Sequence, residues 1–96
     1  MRKQRAQAIG DILHEMLRQE GIETPLNEHR LIAAWPEVMG QGISRYTSDI
    51  YIRSRVLYVR ILSSTVRMQL SLNRQVLAER LNRHIGAQVI ERIVFL

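Results

Sequence analysis

The sequence predicts an α+β domain, a three-stranded sheet with helices packed on one face. Three observations carry the prediction. Thr47 to Leu62 alternates twice with the two-residue period of a strand, about a polar Ser54-Arg55 centre. On either side of it, apolar residues recur at the three- and four-residue steps of a helix lying on a core. The last stretch, Val89 to Leu96, is rich in Val, Ile and Phe and reads as a further strand. The predicted order is helix, helix, strand, strand, helix, strand.

The central hairpin organises the rest. Ile50 and Ile52 share one face of its first strand, with Tyr51 and Arg53 on the other. Leu57, Val59 and Ile61 share one face of its second strand, with Tyr58 and Arg60 opposite. Ser54 and Arg55 fall where a tight turn belongs. A two-stranded hairpin is not stable alone in water, so the other elements must cover its aliphatic face.

In chain order, Ile9, Ile12, Leu13, Met16 and Leu17 form one apolar stripe on a helix from about Gln4 to Glu20, with Gly21 as its left-handed cap. The basic residues Arg2, Lys3 and Arg5 precede it. Residues 1–5 are expected to fray as a solvated arm, with phosphate contact as the alternative. Thr24-Pro25 starts the next helix, since threonine caps and proline fits the first helical position. Leu31, Ile32, Trp35, Val38 and Met39 carry its apolar face. Pro36 predicts a kink or break at Trp35, with a short continuation to Met39 or Ser44. Trp35, the only tryptophan, is expected in the core.

After the hairpin, Ser63, Ser64 and Thr65 offer capping hydroxyls. The main stripe of the following helix is Val66, Leu70, Leu77 and Leu81, ending near Ile85, and Gly86 closes it. A second apolar set, Met68, Leu72 and Val76, lies nearly opposite on an unbroken helix. The helix is expected to bend or split near Ser71–Asn73 so that both sets face one core. The alternative is a straight helix whose second set meets a protein partner or a second copy of the chain.

Length and composition bound the function. Ninety-six residues make one domain, residues 1–96, which buries roughly 60–65% of its unfolded surface. There is no cysteine, hence no disulfide framework and no thiolate zinc site. No apolar run approaches the roughly 20 residues of a membrane helix, so a soluble cytoplasmic protein is expected. The net charge is +5 and 13 of the 14 basic residues are arginine. Arginine suits two-pronged contact with phosphate and stacking on bases, which makes nucleic acid the expected partner. His14, His29 and His84 stand alone without metal-ligand spacing, the acidic residues are dispersed, and no Gly-rich phosphate loop occurs. Neither an enzyme nor a metal or cofactor site is expected.

What remains is a surface. Tyr51, Arg53, Tyr58 and Arg60 line the face of the hairpin away from the helices, with Arg55 at its tip. Arg67 and Arg74 share one edge of the following helix. Aromatic rings that stack bases and arginines that contact phosphate make this a candidate nucleic-acid surface. The same composition also suits an ordinary solvent face or a protein interface.

Several marks, in order, resemble a known family. They are Arg30-Leu31, Trp35-Pro36-Glu37-Val38, Gly40, Thr47, the strand Val56-Leu57-Tyr58-Val59 running into Ser63-Ser64, Leu70, Leu81-Asn82, Gly86, Ile93 and Phe95. They resemble the DciA-type family of bacterial proteins, over nearly the whole chain from Ile9. The resemblance implies a fold related to the type II KH domain. It also implies a role as an operator or loader of the replicative DNA helicase, engaging helicase and DNA. One departure is plain. KH domains grip single strands with a Gly-x-x-Gly loop, and the equivalent Ser71-Leu72-Asn73-Arg74 has no glycine. The expectation is a nucleic-acid-binding accessory of replication, with a protein–protein adaptor or homodimer as the alternative.

Overall fold

The computed structural model describes residues 23–96. The helix expected over Gln4 to Glu20 and its Gly21 cap lie outside the described residues. The described elements are α1 (Glu23–Met39), α2 (Gln41–Ser44), β1 (Thr47–Arg53), β2 (Val56–Ile61), α3 (Ser64–Leu72), α4 (Arg74–Ile85) and β3 (Arg92–Phe95). The strands form one mixed sheet in the order β1-β2-β3. β1 pairs antiparallel with β2, and β2 pairs parallel with β3. Parallel neighbours need a crossover, and α3 with α4 supplies it.

The core lies between the helices and one face of this sheet. Leu57, Val59, Ile61 and Ile93 are buried from the sheet side, with Ile50 and Ile52 packed against them. Leu31 and Trp35 of α1, Leu70 of α3, and Leu77, Ala78 and Leu81 of α4 meet them from the helix side. Trp35 is 1% exposed. Its indole N–H still needs an acceptor once buried, and it donates to Thr47 Oγ1 at 2.9 Å. The Thr47 hydroxyl donates in turn to the Ile43 carbonyl, at 3.3 Å. A register shift between Thr47 and Asp49 makes this possible. A strand alternates faces, so an odd-numbered Thr47 would point away from the core if Ile50 and Ile52 point into it. One extra residue at Ser48 resets the count.

The hairpin turns at Ser54-Arg55, as its alternation requires. Both residues have positive φ, 52° and 65°. Two left-handed residues in a two-residue loop match the twist of the flanking strands, though neither is the glycine or asparagine that usually takes the position. The side chain of Ser63 caps α3 by accepting from the Val66 N–H at 3.3 Å. Gly86 ends α4 at φ 83°, the left-handed cap its position implied.

Three expectations are corrected. Of the kink or break expected at Trp35, the break does not occur, while the short continuation to Met39 and Ser44 does. α1 runs through Pro36 to Met39, and the break comes at Gly40, with φ 84°. Pro36 removes the N–H that would bond the Ile32 carbonyl. Leu31 and Trp35 before the proline are buried, and Val38 and Met39 after it pack on the same core, which holds the helix across that gap. The last strand begins at Arg92, not Val89. Val89 and Ile90 are consecutive and both buried, which one face of a strand cannot accommodate. They form a loop wrapped around Asn82, the one buried polar residue among those described. Asn82 Oδ1 accepts from the Val89 and Ile90 N–H groups at 2.9 and 3.0 Å, and Nδ2 donates to the Ile90 carbonyl at 2.9 Å. Finally, the third helix does split, at Asn73, but the split does not bring both apolar sets inward. Met68, Leu72 and Val76 stay in solvent, 68%, 80% and 55% exposed. Leu70, Leu77 and Leu81 already occupy the inward side of both segments.

Two stability outcomes follow. Asn82→Ala strands two buried N–H groups and is expected to lower unfolding free energy by about 2–4 kcal/mol in urea denaturation. Ser54→Val places a β-branched residue at positive φ and should cost about 1–2 kcal/mol, whereas Ser54→Asn should be neutral or slightly stabilising in the same measurement.

Candidate nucleic-acid interface

The face of the sheet turned away from the described helices is built by register. The pairings Arg53↔Val56↔Arg92 make one rung. Tyr51↔Tyr58↔Val94 make the next, and Asp49↔Arg60 the one after. Residues opposite one another in a ladder share a face, so these side chains stand together. Successive rungs are separated by roughly 7 Å, and neighbouring strands by roughly 4.8 Å.

The middle rung is aromatic. The Tyr51 and Tyr58 rings stack with centroids 5.0 Å apart and planes 15° from parallel. Tyr51 is 37% exposed and Tyr58 is half-buried. Each ring therefore shields one π-face of the other, and Tyr51 carries the more open surface. Arg53 and Arg60 flank this pair, one rung away on each side, and both are exposed. The four residues singled out on the hairpin's polar face thus come together as one surface. It can offer a stacking platform between two fixed cations, the combination that single-stranded nucleic acid meets in open grooves.

The other three arginines are not on that face. Arg55 sits at the hairpin tip, where its Nη2 donates to the Gln88 carbonyl at 3.0 Å and its Nε lies 3.9 Å from Glu91. Arg67 is half-buried and its Nη1 donates to the carbonyls of Ile61 and Leu96, at 3.0 and 3.3 Å. It ties α3 to the ends of β2 and β3. Arg74 is exposed at the first residue of α4, in the helix layer. On β3 two residues of the open face escaped the sequence reading, Arg92 and Val94. Their signal was present. Ile93 and Phe95 turn inward, so alternation turns Arg92 and Val94 outward. What was missing was the register that sets Arg92 beside Val56 and Arg53.

His14 lies outside the described residues, and the two described histidines are peripheral. His29 is exposed, and His84 lies 3.4 Å from Glu37 on the surface. Among the described residues, no three side chains able to bind a metal come together. No described helix is long and apolar enough to cross a membrane.

Fold and face together define a class: a small α+β domain with an open aromatic and basic sheet surface. The sequence model of the family described as Dna[CI] antecedent, DciA, matches residues 8–95, and the chain belongs to that family. The family is one of replication accessory proteins related to helicase loading. No curated protein and no solved structure matches the chain.

The exposed set on α3 and α4 has a direct stability signature. Met68→Ser and Leu72→Ser should each change unfolding free energy by no more than about 0.5 kcal/mol, since neither side chain leaves water on folding. Leu70→Ala, between them in sequence but 7% exposed, should cost about 2–4 kcal/mol. Equal losses at all three positions would mean that the set is buried in solution.

Proposed function

We propose that this protein is a non-enzymatic accessory of DNA replication that binds single-stranded nucleic acid on the open face of its sheet and acts with the replicative helicase in the cytoplasm. The observation that carries the reading is the stacked Tyr51–Tyr58 pair with Arg53 and Arg60 on either side. A base stacked on such a ring gains about 1–3 kcal/mol, and each arginine adds a phosphate contact. Membership of the DciA family supports the replication setting. The mixed three-stranded sheet under one layer of helices is compatible with a KH-like fold, but the α3–α4 junction at Asn73 lacks the glycines of the KH clamp. The sheet face is the better candidate for that reason.

A second reading is favoured by one observation. Met68, Leu72 and Val76 expose three large apolar side chains on the α3–α4 corner. Such a cluster suits a protein adaptor or a homodimer. Three side chains fall well short of the roughly 800 Å² per partner of a stable interface, so they would form only part of one.

The deciding measurement is fluorescence anisotropy of labelled oligothymidylate titrated with the protein across a salt series. The expected result is binding that weakens steeply with salt, and a loss of at least about tenfold in Arg53→Glu with Arg60→Glu. Binding unchanged by that double substitution would remove the sheet face from consideration. For the second reading, equilibrium sedimentation over rising concentration is expected to report self-association if the corner joins two copies. A constant monomer mass eliminates the homodimer.

A further inference from the structure

We infer that Arg92 of β3 is a third cation of the binding face, so that Arg53, Arg60 and Arg92 frame one unpaired base seated on the Tyr51–Tyr58 pair. This rests on the reading of the open sheet face proposed above, and it goes further by naming a residue and the seating of one base between the arginine rungs. Val56 is the pivot of the argument. By alternation it belongs to the open face with Tyr58 and Arg60, yet it is only 6% exposed and stands outside the main core cluster. Its two partners in the rung are Arg53 on β1 and Arg92 on β3. Long arginine stems cover apolar surface while their guanidinium groups stay in water, which is what an apolar residue between two arginines requires. Both arginines are exposed overall.

The rung therefore presents two guanidinium groups whose backbones are two strand spacings apart, roughly 10 Å. The ion pairs among the described residues are Arg55–Glu91 and Glu37–His84, so none of the three face arginines is engaged in one of these. Asp49 stands opposite Arg60 in its own rung and partly offsets that arginine's charge. The Arg53–Arg92 end has no acidic partner in its rung and is the more cationic end of the face.

The aromatic rung decides between single and double strands. In a duplex the faces of the bases are covered by their neighbours, and only phosphates could reach the arginines. In a single strand an unstacked base can lie on Tyr51 while the phosphates on either side meet the two arginine rungs. The arrangement thus favours a single strand through Tyr51, and fixes the path of its backbone through Arg92.

The test is the salt dependence of oligothymidylate binding by the full chain, with a hairpin duplex as comparison. Arg92→Gln is expected to reduce the magnitude of the slope of log K against log salt by about 0.7–1, one phosphate contact, and to weaken binding at low salt. Arg92→Lys should restore the slope. Arg80→Gln is the control for net charge, because Arg80 lies in the helix layer and donates to the Val38 carbonyl. Its slope should match that of the unaltered protein. Tyr51→Ala should weaken the single strand about fivefold to 150-fold and leave the duplex unchanged, matching the stacking range of about 1–3 kcal/mol. Thermal unfolding of each variant checks that the sheet is intact. A normal slope in Arg92→Gln, alongside lost binding in Arg53→Glu with Arg60→Glu, would overturn the role of Arg92 and leave the sheet-face reading standing. Full binding by both variants would overturn the two together.

Discussion

The constraint on which this structure depends is the two-sidedness of one hairpin. Ile50 and Ile52 on its first strand and Leu57, Val59 and Ile61 on its second stand on one face, and those side chains must leave water together. Leu31 and Trp35 of one helix and Leu70, Leu77 and Leu81 of two others meet that requirement. Trp35 contributes most by volume, and its single polar atom has to be satisfied. The Trp35–Thr47 hydrogen bond does so, and the bulge at Ser48 exists in a register that brings Thr47 under the indole. Helix, strand and bulge are consequences of burying one face.

Once the aliphatic face is covered, alternation leaves the other side of the same strands with tyrosine and arginine. No separate device is needed to build the candidate surface. The rigidity of the ladder sets the spacing between the aromatic rung and the arginine rungs, so the site is carried on strands and not on loops. Asn82 extends this economy to the far edge. By binding both N–H groups of Val89 and Ile90 it holds the loop that delivers β3 beside β2. Arg55, from the hairpin tip, bonds the same loop through Gln88 and Glu91. An arginine that looked available in the chain is partly occupied in holding the edge strand, and Arg67 has a similar structural task at the opposite end.

The exposed cluster of Met68, Leu72 and Val76 stands apart from this logic. A helix that splits at Asn73 has the freedom to turn both stripes inward, and the sequence pattern suggested that it would. The inward side, however, is already filled by Leu70, Leu77 and Leu81, which touch the sheet. A core of this size has room for one stripe. The second is left as three apolar side chains in water, a feature whose cost is tolerable singly and informative as a group.

The sequence by itself determined the fold class, the hairpin and its turn, the burial of Trp35, the serine cap, the Gly86 terminus and the identity of four residues on the open face. These follow from periodicity and local backbone chemistry, which act over a few residues. Family membership was also legible there, through the spacing of marks along the chain. The tertiary structure alone decided four other matters: that α1 continues through Pro36, that β3 begins at Arg92, which apolar stripe is buried, and that Arg92 joins Arg53 across Val56. Each depends on contacts between residues distant in sequence. A proline gap is tolerated because neighbours are buried, a strand is shortened because an asparagine claims its N–H groups, and a rung is completed because two strands lie parallel. Such outcomes are set by competition for one small core, and local pattern carries no information about which competitor occupies it.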